Sequence, residues 1–195
     1  MPSRRDAAAA ALERAEAVAR PRGGPVPDPQ REGREPDPHD IARAIVLKQL
    51  SMAPRSRAQL EDKLRARNCA DDVAQRVLDR MSEVGLVDDK AFAEMLVRSK
   101  RASRGLAKRA LAQELRTKGI DDELVKGTLG SLDDESERAL AEAVVARKLP
   151  SMSGLDPRVQ ARRLSGMLAR KGYSPSVAYT VVTAAVADAP EHQRD

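Results

Sequence analysis

Aromatic residues are scarce in this chain of 195 residues, which holds one Phe, two Tyr and no Trp. A core with so few rings must be built from aliphatic side chains, which suits helix-on-helix packing better than a β-sandwich. The same scarcity leaves little with which to stack unpaired nucleic-acid bases. We therefore expect an all-α fold that does not bind single strands through their bases.

Cysteine and histidine are equally rare. The one cysteine, Cys69, cannot form an internal disulfide, which indicates a reducing compartment. The two histidines, His39 and His192, lie near opposite ends, so their spacing suggests neither a metal site nor a catalytic triad. Gly23-Gly24 is not followed by the Lys-Ser/Thr of a phosphate loop. We expect no enzymatic activity, no cofactor and no metal.

Long apolar runs are also missing, since none approaches the ~20 residues of a membrane-spanning helix. The Ala-rich start is interrupted by Glu13 and Glu16, so it does not resemble a signal peptide. We expect a cytoplasmic protein without membrane association. The formal net charge of +5 favours an acidic partner, either nucleic acid or a protein that carries it.

Residues 1–39 combine an Ala-rich piece with a segment rich in proline, glycine and charge. Ala7 to Arg20 consists of strong helix formers, but it carries few large apolar groups that could hold it to a core. The segment that follows has almost nothing to bury. We interpret residues 1–39 as a disordered tail.

Helix start signals recur from Asp40 onward. We expect Asp40 to cap a first helix with Ile41, Ala44 and Ile45 inward, and Ser56 to Gln59 to form a capping box. Further helices are predicted to start at four Asp-Asp pairs and at two X-Pro pairs, as carboxylates and hydroxyls accept the free N–H groups there. These pairs are Asp71-Asp72, Asp88-Asp89, Asp121-Asp122, Asp133-Asp134, Asp156-Pro157 and Ser174-Pro175.

A repeat of 51 to 53 residues organises these helices. In each copy two leucines four residues apart precede an Asn or Gly, the residues that most readily adopt the left-handed backbone conformation at the end of an α-helix. The three sets are Leu60, Leu64 and Asn68; Leu111, Leu115 and Gly119; Leu164, Leu168 and Gly172. This predicts three tandem three-helix repeats at 40–87, 88–132 and 133–187, forming an elongated, curved array, with a tail at 188–195. The β-rich run Val177 to Thr183 is assigned to a helix because of its register.

Charge is most one-sided from Arg98 to Lys118, where eight bases face one acid, Glu114. On a helical projection Arg109 and Arg116 fall about 140–160° from Leu111, on the outward face. For a single arginine, solvation of a helix surface is the simpler interpretation, but solvated surfaces usually mix both signs. The bases that we assign to partner or DNA binding are Arg65, Arg98, Lys100, Arg101, Arg104, Lys108, Arg109, Arg116, Lys118, Arg162, Arg163, Arg170 and Lys171.

The middle repeat resembles the RecX family, small bacterial regulators of the RecA recombinase. The residues that carry the resemblance are Asp88-Asp89, Phe92-Ala93, Arg98 to Gly105 and Glu114 to Ile120. The resemblance implies three-helix repeats without a catalytic site, which bind the RecA–DNA filament and inhibit its recombinase, ATPase and coprotease activities. It further implies a role in DNA repair, homologous recombination and the SOS response. We expect a monomer that contacts DNA only weakly; the alternative is a helical module that binds DNA directly through its basic face.

Because the tail has balanced charge and little to bury, we predict that it contributes little to stability. Deleting residues 1–36 should leave the melting temperature, measured by circular dichroism, within a few degrees of the intact chain. A large drop would show instead that Ala7 to Arg20 docks on the helical core.

Overall fold

The computed structural model describes residues 37–189, and within that range it contains nine α-helices and no strand. Of the tail interpreted as disordered, residues 1–36 lie outside the described residues, whereas Pro38 and His39 belong to the first helix. The helices are α1 (Pro38–Met52), α2 (Arg57–Arg65), α3 (Asp71–Glu83), α4 (Asp89–Arg104), α5 (Lys108–Thr117), α6 (Asp122–Gly130), α7 (Asp134–Lys148), α8 (Pro157–Arg170) and α9 (Pro175–Ala187). A 3₁₀ helix, Leu149–Met152, follows α7. The all-α class and the three three-helix repeats are confirmed, and the β-rich run near Val177 lies inside α9.

Three buried hydrophobic clusters correspond to the three repeats, which we call unit 1 (α1–α3), unit 2 (α4–α6) and unit 3 (α7–α9), with Ala107 of unit 2 packed into the cluster of unit 3. The paired leucines of each second helix lie at the centre of a cluster, and all six are fully buried: Leu60, Leu64, Leu111, Leu115, Leu164 and Leu168. Burying a leucine side chain stabilises a fold by about 1.5–3 kcal/mol, so these positions dominate each core.

The same corner follows the second helix of every unit. Asn68, Gly119 and Gly172 adopt left-handed backbone angles, with φ of 57°, 74° and 89°. In each case the next residue donates its N–H to the carbonyl of the second leucine, five positions earlier, at 3.1 Å. This is the hydrogen bond of a Schellman motif. It confirms the corner that the repeat predicts.

Most helices begin where the sequence predicts, with Asp88, Asp121, Asp133, Asp156 and Ser174 as side-chain caps and a complete capping box at Ser56. Two starts differ. Helix α1 begins at Pro38 with Asp37 as its cap, not Asp40, because proline needs no N–H partner at a first helical position. Helix α3 is preceded by Ala70 without a side-chain cap, and Asp71 and Asp72 lie in its first turn, where they complement the helix dipole.

The inward face of α1 also differs from the prediction. Ala42 and Val46 are buried and Ile45 packs against their cluster as predicted, whereas Ala44 is exposed and Ile41 is 47% exposed. Helix α1 packs against α2 and α3 through this face. Ala42 and Val46 are one helical turn apart, so the small alanine lets the helix approach its neighbours while Val46 fills the space beside it.

Each unit is joined to the next at the N-terminus of its second helix. In unit 1 the Ser56 hydroxyl donates to the carbonyl of Lys118 at 2.5 Å. In unit 2 the N–H of Ala107, which occupies the equivalent position, donates to the carbonyl of Lys171 at 2.9 Å. Both acceptors immediately precede the left-handed glycine of the following unit. We call these two contacts the joints.

A carboxylate strengthens each joint. The first N–H of α2, at Arg57, donates to Asp89 at 2.8 Å, and the first N–H of α5, at Lys108, donates to Glu137 at 2.8 Å. Both acids come from the first turn of the next unit's first helix. Helix α8 starts instead with Pro157, which has no N–H, so the last unit does not need such a partner.

The joints leave no room for a side chain at their glycines. A Cβ on Gly119 would lie 2.3 Å from the Cβ of Ala58, and one on Gly172 would lie 2.5 Å from the backbone nitrogen of Ala110. Gly85 has almost the same φ as Gly119, 72° against 74°, but a Cβ there would meet nothing within 4 Å. Comparing an alanine substitution at Gly119 with one at Gly85 therefore separates the cost of backbone strain from the cost of the collision at the joint.

We predict that Gly119→Ala destabilises the protein more than Gly85→Ala does. Each variant costs about 1–2 kcal/mol for a left-handed alanine, and Gly119→Ala adds a collision worth about 1–3 kcal/mol more. Urea unfolding of the two variants measures the difference. Equal losses would show that the joint is loosely packed.

Candidate basic interaction surface

Four of the eight predicted bases in unit 2 are already paired with acids of the same unit. Arg98 lies 3.8 Å from Glu94 on its own helix. Lys100 and Arg104 share Glu114, at 3.9 Å and 3.1 Å, so the single acid of this stretch joins α4 to α5. These bases are less available to a partner than the sequence indicated.

Two further bases of unit 2 connect it to unit 3. The Arg101 guanidinium donates to the carbonyl and the hydroxyl of Ser136, at 3.3 Å and 3.2 Å, from a half-buried position. Lys108 contacts Asp134 at 2.9 Å through its ammonium group. Arg101 and Lys108 therefore hold adjacent units together.

At the end of α5, Arg116 donates to Asp122 at 2.7 Å, and this hydrogen bond lowers the pKa of the Asp122 carboxyl. Lys118 is half-buried and contributes its carbonyl to the joint. Arg109 is the exposed base of α5 that makes no ion pair within residues 37–189. Of the two outward arginines predicted on α5, Arg109 is therefore the one available to a partner.

Unit 1 offers little free charge on its second helix. Arg65 lies between two acids of the same helix, Glu61 at 2.9 Å and Asp62 at 3.2 Å. Exposed pairs of this kind stabilise a helix only slightly, but they reduce the positive potential that Arg65 presents.

Unit 3 differs, because its predicted bases on α8 are exposed and form no ion pair in the described part of the chain. Arg162, Arg163 and Arg170 line one cleft of about 460 Å³. A fourth base, Lys148 at the end of α7, lines the same cleft. The sequence did not reveal Lys148 as part of the site, since it is brought to α8 by tertiary packing.

Lys171, at the end of unit 3, serves the joint instead. Its ammonium group donates to the carbonyl of Arg104 in unit 2. Burial, followed by the nearby Arg147 and Arg104, lowers the pKa of Lys171. Beside it Tyr173 is buried, and its hydroxyl donates to the carbonyl of Gly105 at 3.1 Å. Burial raises the pKa of this phenol to about 12.

A second cleft, of about 470 Å³, lies between α1 and α3 of unit 1. Its floor is largely apolar, with Leu47, Val77, Met81, Val84 and Leu86 among its lining residues. Two of the arginines beside it are paired, Arg76 with Asp72 and Arg80 with Glu83. This cleft is much less suited to an anion than the cleft beside α8.

The described residues hold no cluster of His, Cys, Asp and Glu that could bind a metal ion. Among residues 37–189, no helix is both long and apolar enough to cross a membrane. The free bases of units 2 and 3 and the cleft beside α8 are the features of the described residues that best suit an acidic partner.

Comparison with protein families finds three consecutive matches. The first three-helix domain of RecX matches residues 42–81, the second matches residues 88–129 and the third matches residues 135–182. Each match falls within one of the three structural units.

Individual relatives agree with these matches. A protein named Regulatory protein RecX from Streptomyces lividans is 47% identical over 171 residues, covering 87% of this chain and 91% of the relative. Its namesake from Thermobifida fusca is 47% identical over 166 residues, covering 80% and 90%. The crystal structure of RecX from Lactobacillus salivarius superposes with a TM-score of 0.68 at 23% identity, covering 76% of this chain and 96% of that one, and so supports the fold.

We predict that Arg116 is held by Asp122 in solution. Replacing it in Arg116→Gln should raise the Asp122 pKa toward the usual value near 3.9, measured by NMR titration of the carboxyl carbons. Because the pKa of Asp122 is lower in the folded protein than in the unfolded chain, the ionised carboxylate stabilises the fold at pH values above the unfolded-state pKa. This stabilisation is lost as the pH falls through the folded-state pKa. Arg109→Gln is the control and should leave Asp122 unchanged; an unchanged Asp122 in both variants would mean that Arg116 is free.

Proposed function

The chain belongs to the RecX family of regulatory proteins, as its sequence predicted, and we propose that it is a non-enzymatic regulator of RecA. It binds RecA mainly as the filament that RecA forms on DNA, and it inhibits the recombinase, ATPase and coprotease activities of that filament. Through these activities it affects homologous recombination, DNA repair and the SOS response. It acts as a monomer in the cytoplasm.

The observation that carries this proposal is the free positive charge on two adjoining units. Arg109 on α5 and the bases around the α8 cleft are exposed and form no ion pair within residues 37–189. An acidic partner gains most from such groups, because they do not first have to break an internal salt bridge. A filament of RecA on DNA offers both acidic protein groups and phosphates.

The side-chain contacts between unit 2 and unit 3 give these bases a fixed spacing. Unit 2 and unit 3 are connected through Lys171, Arg101, Lys108 and Tyr173, each of which bonds across the boundary. A ligand that contacts both units binds with higher affinity, because once one contact has formed the second is made at a high effective concentration. A protein held in this way would hinder strand exchange, ATP turnover and filament growth.

The alternative function is direct DNA binding without RecA, favoured by the concentration of bases around one cleft in unit 3. Binding that depends on phosphate contacts falls steeply with salt. Affinity for bare DNA and for the RecA–DNA filament, compared at the same salt concentration, separates the two functions. We expect the filament to bind more tightly.

We predict that adding the protein slows DNA-dependent ATP hydrolysis by RecA and that Arg109→Glu weakens this inhibition several-fold. An exposed base changed to an acid should alter stability by about 0.5 kcal/mol or less, so weaker inhibition would reflect weaker binding. Arg76→Glu is the matched control, since Arg76 is 68% exposed but paired with Asp72 in unit 1.

Two results would contradict the proposal. If the unaltered protein leaves RecA hydrolysis and strand exchange unchanged while it binds bare DNA tightly, it is the DNA-binding module. If Arg76→Glu weakens inhibition as much as Arg109→Glu, the effect is one of net charge and does not depend on the surface of unit 2.

A further inference from the structure

We propose that the cleft formed by the end of α7, the 3₁₀ helix and α8 binds the phosphates of a DNA strand. This inference rests on the proposed function, in which the protein meets DNA within the RecA filament, and it assigns a separate contact to unit 3. Its cationic residues are Lys148, Arg162, Arg163 and Arg170.

The composition of the cleft suits an anion. Four of its eight lining residues are basic and none is acidic. The remaining residues are Ser151, Met152, Gly166 and Met167, which contribute a hydroxyl, two thioether side chains and one position without a side chain. A guanidinium group binds phosphate in a planar, bidentate geometry, and three of the four bases are arginines.

Helical spacing keeps these bases free. An acid three or four residues away in a helix can pair with a base, as Glu61 and Asp62 do with Arg65. Around Arg162, Arg163, Arg170 and Lys148 no position three or four residues away holds Asp or Glu. No ion pair is formed by any of the four within residues 37–189.

Gly166 is the key position in this pattern. It lies four residues after Arg162 and four before Arg170, where a glutamate would pair with both. Glycine is unfavourable inside a helix, yet Gly166 lies well inside α8. A Cβ on Gly166 would be 3.5 Å from the guanidinium of Arg170, so the missing side chain leaves space directly beside the base.

Charge density favours a nucleic-acid strand over an acidic protein segment or a free phosphate ion. Four exposed cations around one cleft of about 460 Å³ are best matched by several anionic charges close together. A DNA strand supplies a phosphate at every nucleotide, whereas a single carboxylate or phosphate ion leaves most of the cations unmatched. The cleft has no aromatic lining residue, so it offers no surface for base stacking and should bind the backbone without regard to sequence.

The test uses Gly166→Glu in the full-length protein. The glutamate should pair with Arg162 and Arg170 and occupy the cleft, while the removal of a helical glycine favours folding. Gly127→Glu is the matched control, because Gly127 lies within α6 in open space, with nothing within 4 Å of its Cβ position. Both variants carry the same added charge, and thermal unfolding checks that both remain folded.

Binding of a fluorescent single-stranded oligonucleotide is measured by anisotropy over a range of salt concentrations. We expect Gly166→Glu to weaken binding about tenfold near 0.1 M salt and to reduce the salt slope by about 0.7 for each phosphate that the cleft no longer neutralises. Gly127→Glu should bind as the unaltered protein does. Inorganic phosphate at constant ionic strength should not displace the oligonucleotide, and displacement would identify a site for the free ion.

A second variant, Arg162→Gln with Arg163→Gln, removes charge without adding an acid and should weaken binding in the same way. If both cleft variants bind the oligonucleotide like the unaltered protein, the inference is wrong. If they retain oligonucleotide binding but no longer bind the RecA–DNA filament, the cleft takes an acidic protein surface, which also overturns it. Weaker oligonucleotide binding in both supports the cleft even if the unaltered protein does not act on RecA, a result that would remove only the proposed function.

Discussion

The first N–H groups of a helix have no partner within that helix, and in units 1 and 2 the second helix obtains its partner from the next unit. Asp89 accepts the N–H of Arg57, and Glu137 accepts that of Lys108. The first N–H groups of a helix need an acceptor from outside it, so within the folded protein each of these two helix ends is completed by the following unit. This dependence holds three small helical bundles in a fixed order.

The same dependence explains how charge is distributed. At each boundary an acid of one unit accepts an N–H of the unit before it, and at the boundary between units 2 and 3 Asp134 also pairs with Lys108 while Arg101 reaches Ser136. Unit 3 has no following unit among the described residues, and its α8 begins with Pro157, which requires no acceptor. The exposed bases of α8 have no acid three or four residues away, so unit 3 can present to a ligand the kind of charge that unit 2 uses in internal pairs.

Sequence reasoning succeeded where information is local or periodic. The paired leucines, the left-handed corners and most caps depend on residues a few positions apart, and so the nine helices and three units of the described range could be predicted. It failed on α1, where Ala42 and not Ile41 is buried, because three-dimensional packing selects the face. It also overestimated the free charge of unit 2, since the pairing of Arg104 with Glu114 spans ten residues and two helices. Lys148 could not be found by spacing, as it reaches α8 only through the fold.

The central claim is that this protein regulates RecA by binding its DNA filament with unit 3 against the strand. The structure of the complex on a RecA–DNA filament, determined by electron cryo-microscopy, tests this most directly. We predict that α8 faces the DNA, with Arg162 and Arg163 in contact with phosphate oxygens and Arg109 against the filament. A complex in which α8 points into solvent while the apolar cleft of unit 1 makes the contact would contradict it.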